Sequence, residues 1–199
     1  MNLMQIGSVR SKPIIETIFL VVVAILVAIV VRFFLLQLFY IPSGSMEPTL
    51  QINDNVFVNK MSYQFNSIER GDIVVLVAPE SVSQNNEEIK DLIKRIVGLP
   101  GETIEGKCSD GVNKCKVKIY ITKPGGMPQL LKEPYLSNDP FYTSYAPFDA
   151  IAVPNNSVLL LGDNRANSSD GRVFGPVNTD KIIGRAFFRI WPIRRAGLL

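Results

Sequence analysis

Hydrophobic residues along this chain fall into two regimes. From Ile18 to Val31 every residue is apolar or small, and Phe33-Phe34-Leu35-Leu36 carries the run past Arg32. That reaches the roughly 20 residues a helix needs to cross a hydrocarbon core. A transmembrane anchor is therefore expected over residues 13–39, with Arg32 snorkelling to an interface. Arg10 and Lys12 precede the run and Glu16 opens it. The positive-inside tendency then puts residues 1–12 in the cytoplasm and the chain after Tyr40 on the extracytoplasmic face. A cleaved secretory signal is the rival reading, but the run is longer than an export signal's apolar core and no small-x-small junction follows before Ile41-Pro42.

The remaining chain, residues 40–199, alternates short β-rich runs with turns. Strands are expected at Asn55–Asn59, Asp72–Val77, Lys94–Gly98 and Ser157–Leu161, and again at Ile182–Trp191. Lys116–Ile121 alternates with period two, the mark of a half-exposed strand. Residues 80–91 are polar and read as a loop. Between Lys123 and Pro154 lie six prolines and few apolar runs, so residues 103–155 are expected to form a smaller β-rich or irregular lobe. No long amphipathic helix follows the anchor. The expected fold is mainly β, an antiparallel-sheet domain with a small second lobe, tethered by one N-terminal transmembrane helix.

Composition narrows the chemistry. The 199 residues include no histidine, which excludes any Ser-His-Asp triad. The net charge of +3 comes with no basic stripe interleaved with aromatics, so nucleic acid is not an expected partner. Cys108 and Cys115 lie in a turn-rich stretch whose spacing suits a hairpin-closing disulfide in an exported domain. A free pair is the alternative; two cysteines without histidine cannot complete a usual zinc set, and no other metal or cofactor is called for.

Three clusters then stand out. Ser45 sits in Ile41-Pro42-Ser43-Gly44-Ser45-Met46-Glu47-Pro48-Thr49-Leu50, a tight-turn context that presents a hydroxyl near backbone N–H groups. A polar linker has the same Ser-Gly-Ser composition, although Met46 and Leu50 serve no purpose in one. Without histidine, a nucleophilic serine takes a lysine as its base. Lys94 lies inside Leu92-Ile93-Lys94-Arg95-Ile96-Val97, where burial would lower an amine's pKa; an outward-facing lysine on an alternating strand is equally compatible. The third cluster, Gly162 to Arg172, follows a buried-strand candidate and offers hydroxyl, amide and carboxylate groups, which also suit a hydrated turn.

Taken together and in this order, the Ser45 segment, Gly71-Asp72-Ile73-Val74-Val75, Lys94-Arg95-Ile96-Val97-Gly98-Leu99-Pro100-Gly101-Glu102 and Gly162–Arg172 resemble the four boxes of the bacterial type I signal peptidases. The resemblance implies Ser45 as nucleophile and Lys94 as general base. It implies an oxyanion hole from the Ser45 N–H and the Ser43 hydroxyl. Ser168 would orient Lys94, Asp170 and Arg172 would brace the site, and Arg95 would be structural. It also implies exported preproteins as substrates and the inner (plasma) membrane as location. Ala166 and Gly171 depart from the family pattern, and one span replaces the two of some relatives.

Signal peptides present small residues before the cut, so shallow apolar pockets are expected. Ile41, Met46, Leu92 and Ile93 flank the proposed dyad and are the candidates to line them. Two other readings share parts of this pattern. A self-cleaving repressor-type Ser/Lys protease would carry a DNA-binding module in place of the anchor. An inactive, anchored β-rich binding protein would not need Ser45, Lys94 and Ser168 together.

Overall fold

The computed structural model describes residues 12–30, 36–65, 67–83, 91–108 and 115–199. Most of the expected cytoplasmic tail, residues 31–35 of the expected anchor, and the middle of the polar loop at 84–90 lie outside the described residues. Helix α1 spans Lys12–Val30. Past Glu16 and Thr17 its described side chains are apolar on every side, and Ile14, Ile18, Phe19, Leu20, Ile25 and Leu26 are all more than half exposed. Among the described residues no helix is long and apolar enough to cross a membrane.

The helix does not continue to Phe39. Leu36–Tyr40 is strand β1, hydrogen-bonded to β2 (Asn55–Asn59) at one end of the main sheet. Phe39 and Tyr40 suit a pleated strand as well as an apolar run, so hydropathy alone merged two elements. Strands β3 (Ile73–Val77), β4 (Asp91–Gly98), β11 (Ser157–Leu161), β12 (Val177–Asn178) and β13 (Ile182–Trp191) complete the order β1-β2-β13-β3-β4-β11-β12. A two-residue strand, β14 (Gly197–Leu198), adds to β13. The pairs with a described register are antiparallel.

The central strands are buried on both faces, which explains why they read as continuous apolar runs. On β3, Ile73 and Val75 join one core cluster with Val56, Val58 and Ile93, while Val74 and Leu76 join a second with Ile96, Val158 and Leu160. Period-two alternation therefore splits each strand between two packed sides.

The expected second lobe is a sheet rather than an irregular excursion. Strands β5 (Thr103–Lys107), β7 (Lys118–Thr122), β8 (Gln129–Leu130) and β10 (Phe148–Ala152) pair in the order β10-β5-β7-β8. Cys115–Lys116 forms β6, which pairs with β9 (Ser144–Tyr145), so the predicted single strand 116–121 is broken at Val117. Among the described residues the lobe shares its core with the main sheet. Ile104, Ile119 and Ile121 share a cluster with Val97, Leu159 and Leu161 of the main sheet, and residues 37–199 form one compact unit. Cys108 and Cys115 are joined by a disulfide.

Candidate active site

Ser45 lies in a single 3-10 turn, Gly44–Met46, directly after β1. Met46 and Leu50 are fully buried and pack with Ile41, Val56 and Ile93, so the turn is nailed to the core by the two residues that a linker would not carry. Backbone bonds fix the rest: Glu47 N donates to Gly44 O at 3.1 Å, Leu50 N to Met46 O at 2.9 Å and Asn53 N to Ile41 O at 2.9 Å.

Lys94 stands on β4 opposite Val74, with its neighbours on the strand buried. Its Nζ donates to Ser45 Oγ at 2.8 Å and to the Ile93 carbonyl at 3.1 Å, and the residue is only 3% exposed. Burial pushes the amine down from its usual value to about 8; Asp170 and Asp163 pull it back up, and Arg172 opposes them. Ser43 Oγ stands 3.4 Å from Ser45 Oγ.

The Gly162–Arg172 segment surrounds this pair. Asn164 N donates to Ser45 O at 3.1 Å, and Asn164 Nδ2 to Gly44 O at 3.0 Å. Asp170 accepts from Gly162 N at 2.9 Å and from Arg172 Nε and Nη2, both at 2.8 Å. Burial alone would raise the Asp170 carboxyl, but the bonds and charge of Arg172, with two backbone amides, hold it below the usual range. Arg95 makes a fork to Asp163, Nε to Oδ1 at 2.8 Å and Nη2 to Oδ2 at 2.6 Å, and Nη1 reaches the Gly71 carbonyl at 2.7 Å. Thr49 Oγ1 donates to the same Asp163 at 2.6 Å.

Ser168 and the four pocket candidates take particular places in this arrangement. Ser168 does not hydrogen-bond to Lys94; its Oγ is buried with no hydrogen-bond partner among the described residues, packed against the face of Gly162. Nor do the four pocket candidates share one wall. Ile41, Met46 and Ile93 lie in the core beneath the Ser45 turn, whereas Leu92 packs into the other core cluster. A separate cavity of about 450 Å³ lies against the second sheet, lined by residues including Lys116, Ile119, Leu131 and Tyr145 and by none of those four. Asn164, Asp163 and Thr49 were not singled out one by one from the sequence, although all three sit inside segments that were. Among the described residues no group of three or more Cys, Asp or Glu could hold a metal ion.

A serine hydroxyl held against a desolvated amine, on an antiparallel sheet and in a chain without histidine, is the arrangement of a serine hydrolase with a lysine base. The sequence also matches proteins of known family. The sequence profile of the family described as "Signal peptidase, peptidase S26" matches residues 14–191. A probable signal peptidase I-2 of Synechocystis sp. is 41% identical over 178 residues, covering 89% of this chain and 73% of that protein. Signal peptidase I of Leptolyngbya laminosa is 40% identical over 190 residues, covering 95% and 85%. A solved signal peptidase I from Enterococcus faecalis is 28% identical with a TM-score of 0.41, covering 60% of this chain and 97% of that one. The chain belongs to the signal peptidase family, peptidase S26.

Proposed function

We propose that the protein is a membrane-tethered endopeptidase that removes signal peptides from exported preproteins, with Ser45 as nucleophile and Lys94 as general base. The observation that carries this reading is the 2.8 Å contact between Lys94 Nζ and Ser45 Oγ. Neutral Lys94 takes the Ser45 proton as Oγ attacks the carbonyl carbon at the junction. The oxyanion is held by the Ser45 N–H and the Ser43 hydroxyl. Lys94 then gives its proton to the leaving amine, and the mature chain departs. Water, deprotonated by the same amine, attacks the acyl ester; Ser45 leaves with the proton and the signal peptide is released.

Small residues before the cut are selected because Ile41, Met46 and Ile93 already fill the volume under the nucleophile turn. A preprotein with an Ala-x-Ala junction is expected to be cut there, and changing the alanine next to the cut to leucine is expected to stop cleavage. Equal cutting of both, read by product mass, would contradict the small-residue reading.

Acid should silence the enzyme. Only the neutral amine accepts a proton, and the folded value of Lys94 is about 8. Activity (kcat/KM) is therefore expected to level off above that pH and to fall about tenfold for each unit below it. A profile flat down to pH 6 would remove Lys94 as the base.

Tethering is assigned to α1 and the apolar sequence that follows it. A helix apolar on every side from Ile18 onward, with bare Ile, Leu and Phe, needs lipid rather than water around it. Arg10 before the helix and Lys12 at its first position favour a cytoplasmic N-terminus, and the disulfide suits an oxidising outer compartment.

A further inference from the structure

We propose that Glu133, from the second lobe, is a positioning residue for the Ser45 turn and acts through Arg165; this rests on the signal peptidase reading above. Arg165 is among the largest fully buried side chains, at 2% exposure. Both of its terminal nitrogens donate to the Glu133 carboxylate, Nη1 to Oε2 at 3.1 Å and Nη2 to Oε1. Its Nε donates to the Gly162 carbonyl at 3.0 Å. Glu133 thus fixes the guanidinium that fixes the backbone at Gly162.

The same carboxylate has a second link to that backbone. Tyr135 Oη donates to Glu133 Oε1 at 2.7 Å, and the Tyr135 ring lies 4.1 Å from the Arg95 guanidinium. Arg95 in turn holds Asp163 by two bonds. Gly162 and Asp163 are therefore each gripped by an arginine, and each of those arginines is seated by the Glu133–Tyr135 pair. The next residue, Asn164, makes the two bonds that hold Gly44 O and Ser45 O. A turn gripped this way can keep Ser45 Oγ on Lys94; a loosened one lets the hydroxyl drift, and roughly 1 Å of misplacement can cost about a hundredfold in rate.

The bland alternative is that Glu133 and Arg165 only staple the lobe to the main sheet. Removing one partner would leave the other charge buried and uncompensated, and so would test folding more than positioning. The informative variant is the neutral pair Glu133→Gln/Arg165→Met in the full chain in detergent. We expect it to melt close to wild type, with KM for an Ala-x-Ala preprotein within about twofold, kcat down about tenfold or more, and faster amide hydrogen exchange at Asn164. Glu133→Asp keeps the charge but retracts the carboxylate, and is expected to show a milder loss confined to kcat. Wild-type kcat in both variants, with unchanged exchange at Asn164, would overturn the proposal. If the wild-type chain cut nothing, the function would be wrong, while the exchange at Asn164 would still decide whether Glu133 positions the turn.

Discussion

Replacing Lys94 by methionine is expected to lower kcat/KM for a preprotein by about a thousandfold or more, with the fold intact. The side chain is almost wholly buried, and its amine is the group bonded to Ser45 Oγ. Methionine keeps most of the bulk and removes only the amine proposed as the proton acceptor. The chain has no histidine to substitute for it. Because the variant also removes a buried ionisable group, the melting temperature is expected to hold or rise. A Lys94→Met protein within about tenfold of wild-type activity would mean that another base serves Ser45.

Gly162→Ala is expected to cost about a hundredfold in kcat/KM. The reason is room, not backbone conformation. A Cβ at Gly162 would stand 2.3 Å from Ser168 Oγ and 2.4 Å from Ser45 O. The serine side chain has nowhere open to go, since its Oγ is already buried. The Ser45 oxygen is backbone and can move only if the nucleophile turn moves, taking the Asn164 contact with it. Overpacking of this kind costs about 1–3 kcal/mol of stability, small beside the kinetic loss. Adding Ser168→Gly relieves one clash and leaves the other, so activity is expected to stay low in the double variant. Full recovery there would place the damage at Ser168 and not at the Ser45 turn. Kinetics and thermal melting of both variants check this.

Much of the main sheet could be read from the chain, because its strands advertise themselves. Ser157–Leu161 is buried throughout, and a continuous apolar run is what burial on both faces demands. Lys94 could be singled out for the same reason, as one amine inside such a run. The lobe was harder to read. Beyond the alternating run at Lys116–Ile121, the apolar residues of its strands complete a core that strands β4 and β11 begin, so they do not look core-forming by themselves. The start of the sheet was hidden because the last apolar residues of the expected anchor, Leu36–Tyr40, are also good strand formers.

In the site, local sequence marked where the polar groups cluster but not how they pair. Asp170 and Arg172 are two residues apart and find each other. Ser168 lies in the same segment, yet its Oγ is buried against Gly162 without a hydrogen-bond partner among the described residues. Glu133 and Tyr135 lie some thirty residues before Arg165, among prolines, and only the folding of the lobe carries them to it. No spacing rule connects residues brought together that way.

The most direct test of the central claim is cleavage of a purified Ala-x-Ala preprotein by the full chain in detergent, wild type against Ser45→Ala, with intact mass locating the cut. The account predicts that wild type releases the mature chain at the junction and that Ser45→Ala, folded and equally stable, releases none. Cleavage at the junction by Ser45→Ala at the wild-type rate would contradict it.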